Sequence, residues 1–297
     1  MKVVAILGPT ASGKTSLSIT LAKKYNANIL SLDSLSVYKE INIASAKPSV
    51  EERDGIKHFG IDVLHVNDVF NVTLFFDLFK EAQEQSLSEG KNLIIVGGTG
   101  FYLKAMITGM SFKPEITADT KKAVSMHMQN LQNAYKLLSD IDSCSAKIIK
   151  SNDSYRIEKW LEIYLQTDVS PSLYFKKNKK EPLIADIELF EIDIPKEILR
   201  ERITQRTDIM LKSGLIDEVF HLEKKYSRMP NPMRAIGIKE TLDFLDGNLN
   251  KEELRERIVI NTAKLAKRQK TFNTSQFQEH VKGSVSQLQS AISKVLQ

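Results

Sequence analysis

KVVAILGPTASGKT, Lys2 to Thr15, is the stretch that decides the fold. KVVAIL is a short apolar run rich in β-branched residues and bounded at once by glycine, which reads as a buried strand. The rest, Gly8, Pro9, Thr10, Ala11, Ser12, Gly13, Lys14 and Thr15, fits G-x-x-x-x-G-K-[ST], a loop that cradles phosphates. Gly8 and Gly13 allow tight turns that expose backbone N–H groups to an anion. Lys14 supplies a cation, and the Thr15 hydroxyl suits Mg2+. Gly13 to Tyr25 then reads as a helix with Leu17, Thr20, Leu21 and Tyr25 on one face. Strand, loop and helix in this order form the context that makes the motif specific.

Outward from the loop, NILSL (Asn28 to Leu32) is a second strand ending at Asp33. Val72 to Leu87 is an amphipathic helix, with Val72, Phe75, Phe76, Phe79, Ala82 and Leu87 at helical spacing. NLIIV (Asn92 to Val96) is a third strand, followed by GGTG. Strands alternating with helices predict an α/β fold whose parallel sheet resembles that of the phosphate-loop nucleotide hydrolases. After Gly109 the pattern changes. SFKPEIT (Ser111 to Thr117) reads as a linker, and helical periodicity fills Ala118 to Leu138, Ser143 to Lys150 and Asp153 to Gln166. The last of these turns Ile157, Trp160, Leu161 and Tyr164 inward. IADIELFEID (Ile184 to Asp193) is strand-like again. Helices follow over Pro195 to Leu211, with Pro195 at the first helical position, and over Leu215 to Tyr226, Met233 to Leu245 and Lys251 to about Thr271. The expected organisation is a core begun by residues 1–111, an inserted all-helical domain over 112–184, and a core continuation with C-terminal helices over 185–297.

Composition narrows the class. The 297 residues are 42% hydrophobic and 27% charged. No run approaches the roughly 20 continuous apolar residues of a membrane helix. The N-terminus is too short and too quickly polar for a signal peptide. The single cysteine, Cys144, excludes an intramolecular disulfide and a CxxC zinc module, and reads as an inert helix residue. A cytoplasmic protein is expected, with the monomer as default. The net charge of +5 permits nucleic-acid binding without demanding it. Basic residues gather in KKNKK (Lys176 to Lys180), read as a mobile loop, and among Arg255, Arg257, Lys264, Lys267, Arg268 and Lys270.

A nucleotide hydrolase usually carries an apolar strand ending in an acidic residue that helps hold the metal. Here NLIIV runs into Gly97-Gly98-Thr99-Gly100 instead. Asp33 ends the other strand, at the sheet edge where ligands of such folds bind. It could accept a proton or hold a metal, or simply cap the next turn. GGTG lets backbone approach a ligand closely, and Thr99 could bond an anion or an amine, or merely begin a helix. His58 and His65 are too isolated for a metal site.

These residues carry a family resemblance. GPTASGKT (8–15), DSLSVYKEINIASAKP (33–48), VGGTGFYLKAMITGM (96–110), Asn152-Asp153 with Arg156-Ile157, RTDIMLKSGLIDEV (206–219), AIGIKE (235–240) and LAKRQKTF (265–272) run in the order seen in bacterial tRNA dimethylallyltransferases. The resemblance spans almost the whole chain. It implies transfer of a dimethylallyl group from dimethylallyl diphosphate to N6 of the adenosine immediately 3′ of the anticodon in tRNA. The phosphate loop, Gly8 to Thr15, would then grip an isoprenoid diphosphate, with Mg2+ on Thr15. Asp33 resembles the family's catalytic carboxylate. Arg206 matches the arginine that reaches the diphosphate, although spacing alone would give it a surface ion pair with Asp208 or Glu201. Thr99 would hold amine and leaving group together.

The resemblance also implies an anticodon stem-loop as partner. Asp33, Ser34, Leu35, Ser36 and Thr99 would meet the target nucleotide, with Tyr38, Phe101 and Tyr102 as candidate stacking partners. Lys121, Tyr155, Arg156 and Lys159 in the insertion, and Lys264 and Arg268 near the C-terminus, would hold the tRNA body. The sequence departs from the family at Lys57-His58, where two histidines are frequent, and at Tyr155, Lys159 and Phe272. These departures touch tRNA contacts and spare the phosphate loop. Two other readings share the motif. A small-molecule kinase would need a lid rich in arginine, and 112–185 holds Arg156 alone. A binding module with a dead phosphate site fits poorly with intact Lys14, Thr15 and Asp33.

Overall fold

β-Branched and aliphatic runs supply the strands of a sheet buried on both faces. A computed structural model describes residues 1–111 and 114–297. Phe112, the expected first residue of the insertion, and Lys113, both in the expected linker, lie outside the described residues. The chain divides into two units, Met1–Ile107 with Ile184–Gln297, and Thr108–Leu183. In chain order the first unit begins with β1 (Val3–Leu7), α1 (Lys14–Lys24), β2 (Ala27–Ser31), β3 (His58–Phe59), α2 (Val72–Ser88), β4 (Asn92–Gly97) and α3 (Gly100–Thr108). The second unit holds α4 (Ala118–Met128), α5 (Leu131–Ile141), α6 (Ser143–Ile148), α7 (Ser154–Thr167) and α8 (Pro171–Lys177). The first unit resumes with β5 (Glu188–Ile192), α9 (Lys196–Lys212), α10 (Leu215–Tyr226), α11 (Ile238–Leu245), α12 (Lys251–Gln276), β6 (Val281–Gly283) and α13 (Val285–Leu296).

The sheet order is β3-β2-β4-β1-β5-β6, and every pairing is parallel. Parallel sheets need helices on both faces, so their strands carry little polar surface. Val4, Ala5, Ile6 and Leu7 are accordingly fully buried. Register brings the strand ends level. Leu7 pairs with Gly97, and Ser31 with Val96. The segments that begin at Gly8, Leu32 and Gly98 therefore leave from one edge, the carboxyl edge where ligands of open α/β sheets bind. One face packs α1 and α13 onto Ile6, Ile29, Ile94 and Phe190. A separate cluster joins Val37, Tyr38 and Ile41 to Leu215, Val219, Ile238, Leu254 and Ile258. The insertion has a core of its own around Val124, Ala134, Leu138, Ile157 and Leu161. No helix among the described residues is long and apolar enough to cross a membrane.

Several local expectations change. Ala118 to Leu138 is two helices, because Asn130 stops the first and caps the second, its Oδ1 accepting from the Asn133 N–H at 3.0 Å. The helix expected from Met233 begins at Ile238, since Asn231–Arg234 is a 3-10 turn and Gly237 takes φ +92°. Thr20 is exposed and Leu87 is 64% exposed, each just off its helix's apolar stripe. Pro195 precedes α9 instead of opening it. KKNKK straddles a helix end: Lys176 and Lys177 close α8, and Asn178 caps it. The sequence reading did not include β3, α3, β6, α8 or α13.

Candidate active site

The phosphate loop passes from β1 to α1. Gly8 has φ +151°, and a Cβ there would stand 3.1 Å from Ser12 Oγ and 3.2 Å from Ile192 Cβ. Gly13, at φ +99°, sits directly before α1. Both positions exclude side chains, by space in the first and by backbone conformation in both. Lys14 is buried, and its Nζ donates to the Pro9 carbonyl at 2.6 Å. Burial, helped by the nearby positive charge of Arg206, lowers its pKa from 10.5 to about 7, against the opposing pull of Asp33. Thr15, one residue on, is exposed.

The loop forms one wall of a cavity of about 650 Å3. Asp33 and Ser36, Ser45 to Pro48, and Gly97 and Gly98 at the sheet edge also line it. The Oδ1 atom of Asp33 accepts from the N–H groups of Leu35 (2.8 Å) and Ser36 (3.1 Å), so this residue does cap the following turn. Its Oδ2 takes no hydrogen bond from the described residues. Capping and a role in the cavity are therefore compatible.

Arg206 does not form the surface pair that spacing suggests. Asp208 is taken by Arg255 through two bonds of 2.5 and 2.9 Å. Arg206 instead lines the cavity, donating from Nη1 to Thr10 Oγ1 (3.3 Å) and from Nη2 to the Ala46 carbonyl (3.4 Å). Burial lowers its pKa, and the carboxylates of Asp33 and Glu52 oppose that shift. Lys14, Arg206 and Asp33 thus share one electrostatic neighbourhood: two cations concentrated beside a loop of N–H donors, and one carboxylate facing them.

GGTG packs against α12. A Cβ on Gly98 would fall 2.2 Å from Gln269 Nε2, and one on Gly100 would fall 2.6 Å from Asn273 Oδ1. Gln269 Oε1 in turn accepts from the Thr10 N–H at 2.9 Å, so this side chain bridges the phosphate loop and the glycine turn. Thr99 is half-buried, donates its N–H to the Leu32 carbonyl at 3.3 Å, and is not among the residues lining the cavity.

Other expected residues are dispersed. Ser34 is exposed, Leu35 half-buried, and Ser36 buried with its Oγ 3.1 Å from that of Ser31. Lys121 and Tyr155 are exposed on α4 and α7. Arg156 is ion-paired with Asp153, the cap of α7. Lys159 is bound by Glu158 (2.7 Å) and Glu162 (2.6 Å). Lys264 and Arg268 are exposed on α12, away from its buried stripe of Leu254, Ile258 and Ala266. Of the candidate stacking rings, Tyr38 is buried, and Tyr102 is held by Phe70 and Phe75 at centroid distances of 5.1 and 5.3 Å. Phe101 is 48% exposed and presents its ring.

Among the contributors to the cavity that sequence reasoning missed are His58, the segment Ser45–Pro48, Arg202 and Gln269. Arg202 Nη1 donates to the Ser12 carbonyl at 3.1 Å. Arg202 lies one helical turn before Arg206, so their i, i+4 spacing was a signal available in the sequence. No group of three or more His, Cys, Asp or Glu that could hold a metal exists among the described residues. The cavity offers Thr15 Oγ1 and the Asp33 carboxylate. Such a sparse set fits a cation that takes most of its ligands from substrate phosphate and water, as Mg2+ does.

Comparison with known proteins adds independent findings. The chain matches the family model described as IPP transferase over residues 36–276. A tRNA dimethylallyltransferase of Aliarcobacter butzleri is 53% identical over 294 residues, covering 99% of this chain and 99% of that protein. The full-length tRNA isopentenylpyrophosphate transferase of Bacillus halodurans, a solved structure, is 30% identical with a TM-score of 0.72, covering 99% of this chain and 96% of that one. The structure of a eukaryotic dimethylallyltransferase acting on tRNA is 28% identical with a TM-score of 0.83, covering 96% of this chain and 74% of that one.

Proposed function

The chain belongs to the IPP transferase family, and from that premise we propose that it transfers a dimethylallyl group from dimethylallyl diphosphate to N6 of the adenosine immediately 3′ of the anticodon in tRNA. The products are N6-dimethylallyladenosine and diphosphate. A monomer acting in the cytoplasm, where tRNA is, is the proposed working form.

The observation that carries the reading is the position of Arg206. It gives up its obvious surface partner and extends into the phosphate-loop cavity that also contains Asp33. A loop N–H array beside buried Lys14 and half-buried Arg206 suits a diphosphate, and the carboxylate suits a proton. In the proposed step the N6 lone pair attacks the first carbon of the allyl group. The carbon–oxygen bond breaks, and its electron pair leaves on the diphosphate. The N6 proton passes to Asp33. Lys14, Arg206 and the loop N–H groups stabilise the charge that builds on the leaving oxygen. A divalent cation, Mg2+ in this proposal, held by Thr15 and the diphosphate itself, would add positive charge there. Thr99 stands outside the cavity lining, so its contact would be with the incoming nucleotide.

The target adenine must leave its stack to reach Asp33, at a cost of about a few kcal/mol, least in a single-stranded loop. Ser34, Leu35 and Ser36 would border its path, and exposed Phe101 is the ring placed to stack. Lys121, Tyr155 and Arg156, together with Lys264 and Arg268, would meet the tRNA backbone. Lys159 would have to leave two carboxylates to join them. The test is incubation with unmodified tRNA and labelled dimethylallyl diphosphate in magnesium. Label is expected in the tRNA. ATP turnover without label would overturn the reading in favour of a kinase.

A further inference from the structure

Helix α10 braces the wall of the cavity from behind. At its N-terminal end the Glu218 carboxylate accepts three successive backbone N–H groups: Asn42 (2.9 Å) and Ile43 (2.8 Å) on Oε2, and Ala44 (2.9 Å) on Oε1. At its C-terminal end the Tyr226 hydroxyl (2.5 Å) and Lys225 Nζ (3.2 Å) donate to Glu40 Oε1. The strap between these clamps has no strand neighbour among the described residues to satisfy its N–H groups. An acceptor-only side chain with two oxygens suits three parallel donors. The strap continues directly into Ser45, Ala46, Lys47 and Pro48, which line the cavity. Ala46 sits at φ +46°, a conformation that a side-chain-bearing residue keeps only when its surroundings hold it. Its carbonyl is the acceptor for Arg206 Nη2. Arg206 and Glu218 lie on consecutive helices turned at Gly214, where a Cβ would lie 3.9 Å from Ile43. One stretch of chain therefore supplies both the guanidinium and the clamp on the strap that leads to its carbonyl acceptor.

We propose that Glu218 is a positioning residue for the diphosphate site: by fixing Asn42–Ala44 it fixes the Ala46 carbonyl, and so aims Arg206 at the phosphate loop. This rests on the function proposed above for the cavity. Glu218→Gln keeps size and shape but turns an amide NH2 toward at least one of the three donors. Amide hydrogen exchange at Asn42–Ala44 should accelerate. The Kd for inorganic diphosphate in excess magnesium should rise about tenfold. The KM for dimethylallyl diphosphate should rise by a similar factor, with kcat within about threefold of wild type, because Asp33 is not touched. Glu218→Asp, charged but shorter, should fall between the two. Adding Arg206→Lys to Glu218→Gln should cost much less than the product of the separate losses, since both act on one interaction. Unchanged diphosphate affinity in Glu218→Gln despite faster exchange would overturn the proposal, as would full additivity with Arg206→Lys. Wild-type protein that puts no label into tRNA would sink the function instead, while the diphosphate titration and the exchange data would still decide the role of Glu218.

Discussion

The two oxygens of Asp33 stand in different situations, and that separates its structural work from its chemistry. Oδ1 holds the turn at Leu35 and Ser36, while Oδ2 is left for a proton. Asp33→Asn preserves the first and removes the second. It should lower kcat by about 10^2 to 10^4, with tRNA affinity and Tm near wild type, as read by single-turnover transfer and by filter binding. Equal losses in rate and affinity would refute a proton acceptor. Lys14 yields a pH prediction. Burial holds its folded pKa at about 7 against 10.5. Between those values the unfolded chain carries the extra proton, so this group makes stability rise with pH across that window, and its penalty is fully present below about 7. An arriving diphosphate restores the charge and must draw in a proton. Diphosphate affinity should therefore fall as pH climbs above about 7, by up to about tenfold per unit. Calorimetry in buffers of different ionisation enthalpy should show proton uptake. Lys14→Arg should flatten the pH dependence, whatever it does to the absolute affinity.

Helix α12 is the element that joins the two glycine turns, through Gln269 on Thr10 and against Gly98. Gly98→Ala would push the flexible amide of Gln269 aside. Because the displaced atom is the end of a side chain, Tm should shift by only a few degrees. The Thr10 N–H would lose its partner, and the KM for dimethylallyl diphosphate should rise about fivefold. Gln269→Ala should do the same, and the two changes together should add little. A full further loss on combination would show that Gly98 makes room for substrate instead. This convergence could not be read from the chain, since Thr10 and Gln269 are 259 residues apart and only the tertiary packing of α12 brings their segments together. Local pattern was enough for β1, β2, β4, β5 and the phosphate loop, because buried parallel strands are apolar runs and the motif is contiguous. It was not enough for β3, with two residues, or β6, with three. For α13 the signals were present, in the Ser284–Gln287 capping box and the Leu288, Ile292, Leu296 stripe. Arg206 was legible only through resemblance, because an arginine's partner depends on which helix face turns inward.

At the scale of the whole molecule, the insertion behaves as a separable piece. It has its own apolar cluster, and its two ends touch: a Cβ on Gly109 would fall 1.8 Å from the Lys180 carbonyl. Replacing residues 110–179 by a few glycines and serines closes only a short gap, at small entropic cost. The shortened chain should keep wild-type affinity for inorganic diphosphate, because every residue of the cavity lies in the other unit. It should lose most tRNA affinity if Lys121, Tyr155 and Arg156 contact the backbone as proposed. Salt dependence distinguishes that loss from a folding defect. Each phosphate contact removed should reduce the slope of log K against log salt by about 0.7 in a single-stranded region and 0.9 in a duplex. Lys264→Ala with Arg268→Ala, on the exposed face of α12, should therefore flatten the slope by about 1.4 to 1.8 with the insertion intact. An insertion deletion that leaves the slope untouched while diphosphate binding survives would mean that α12 alone meets the tRNA charge.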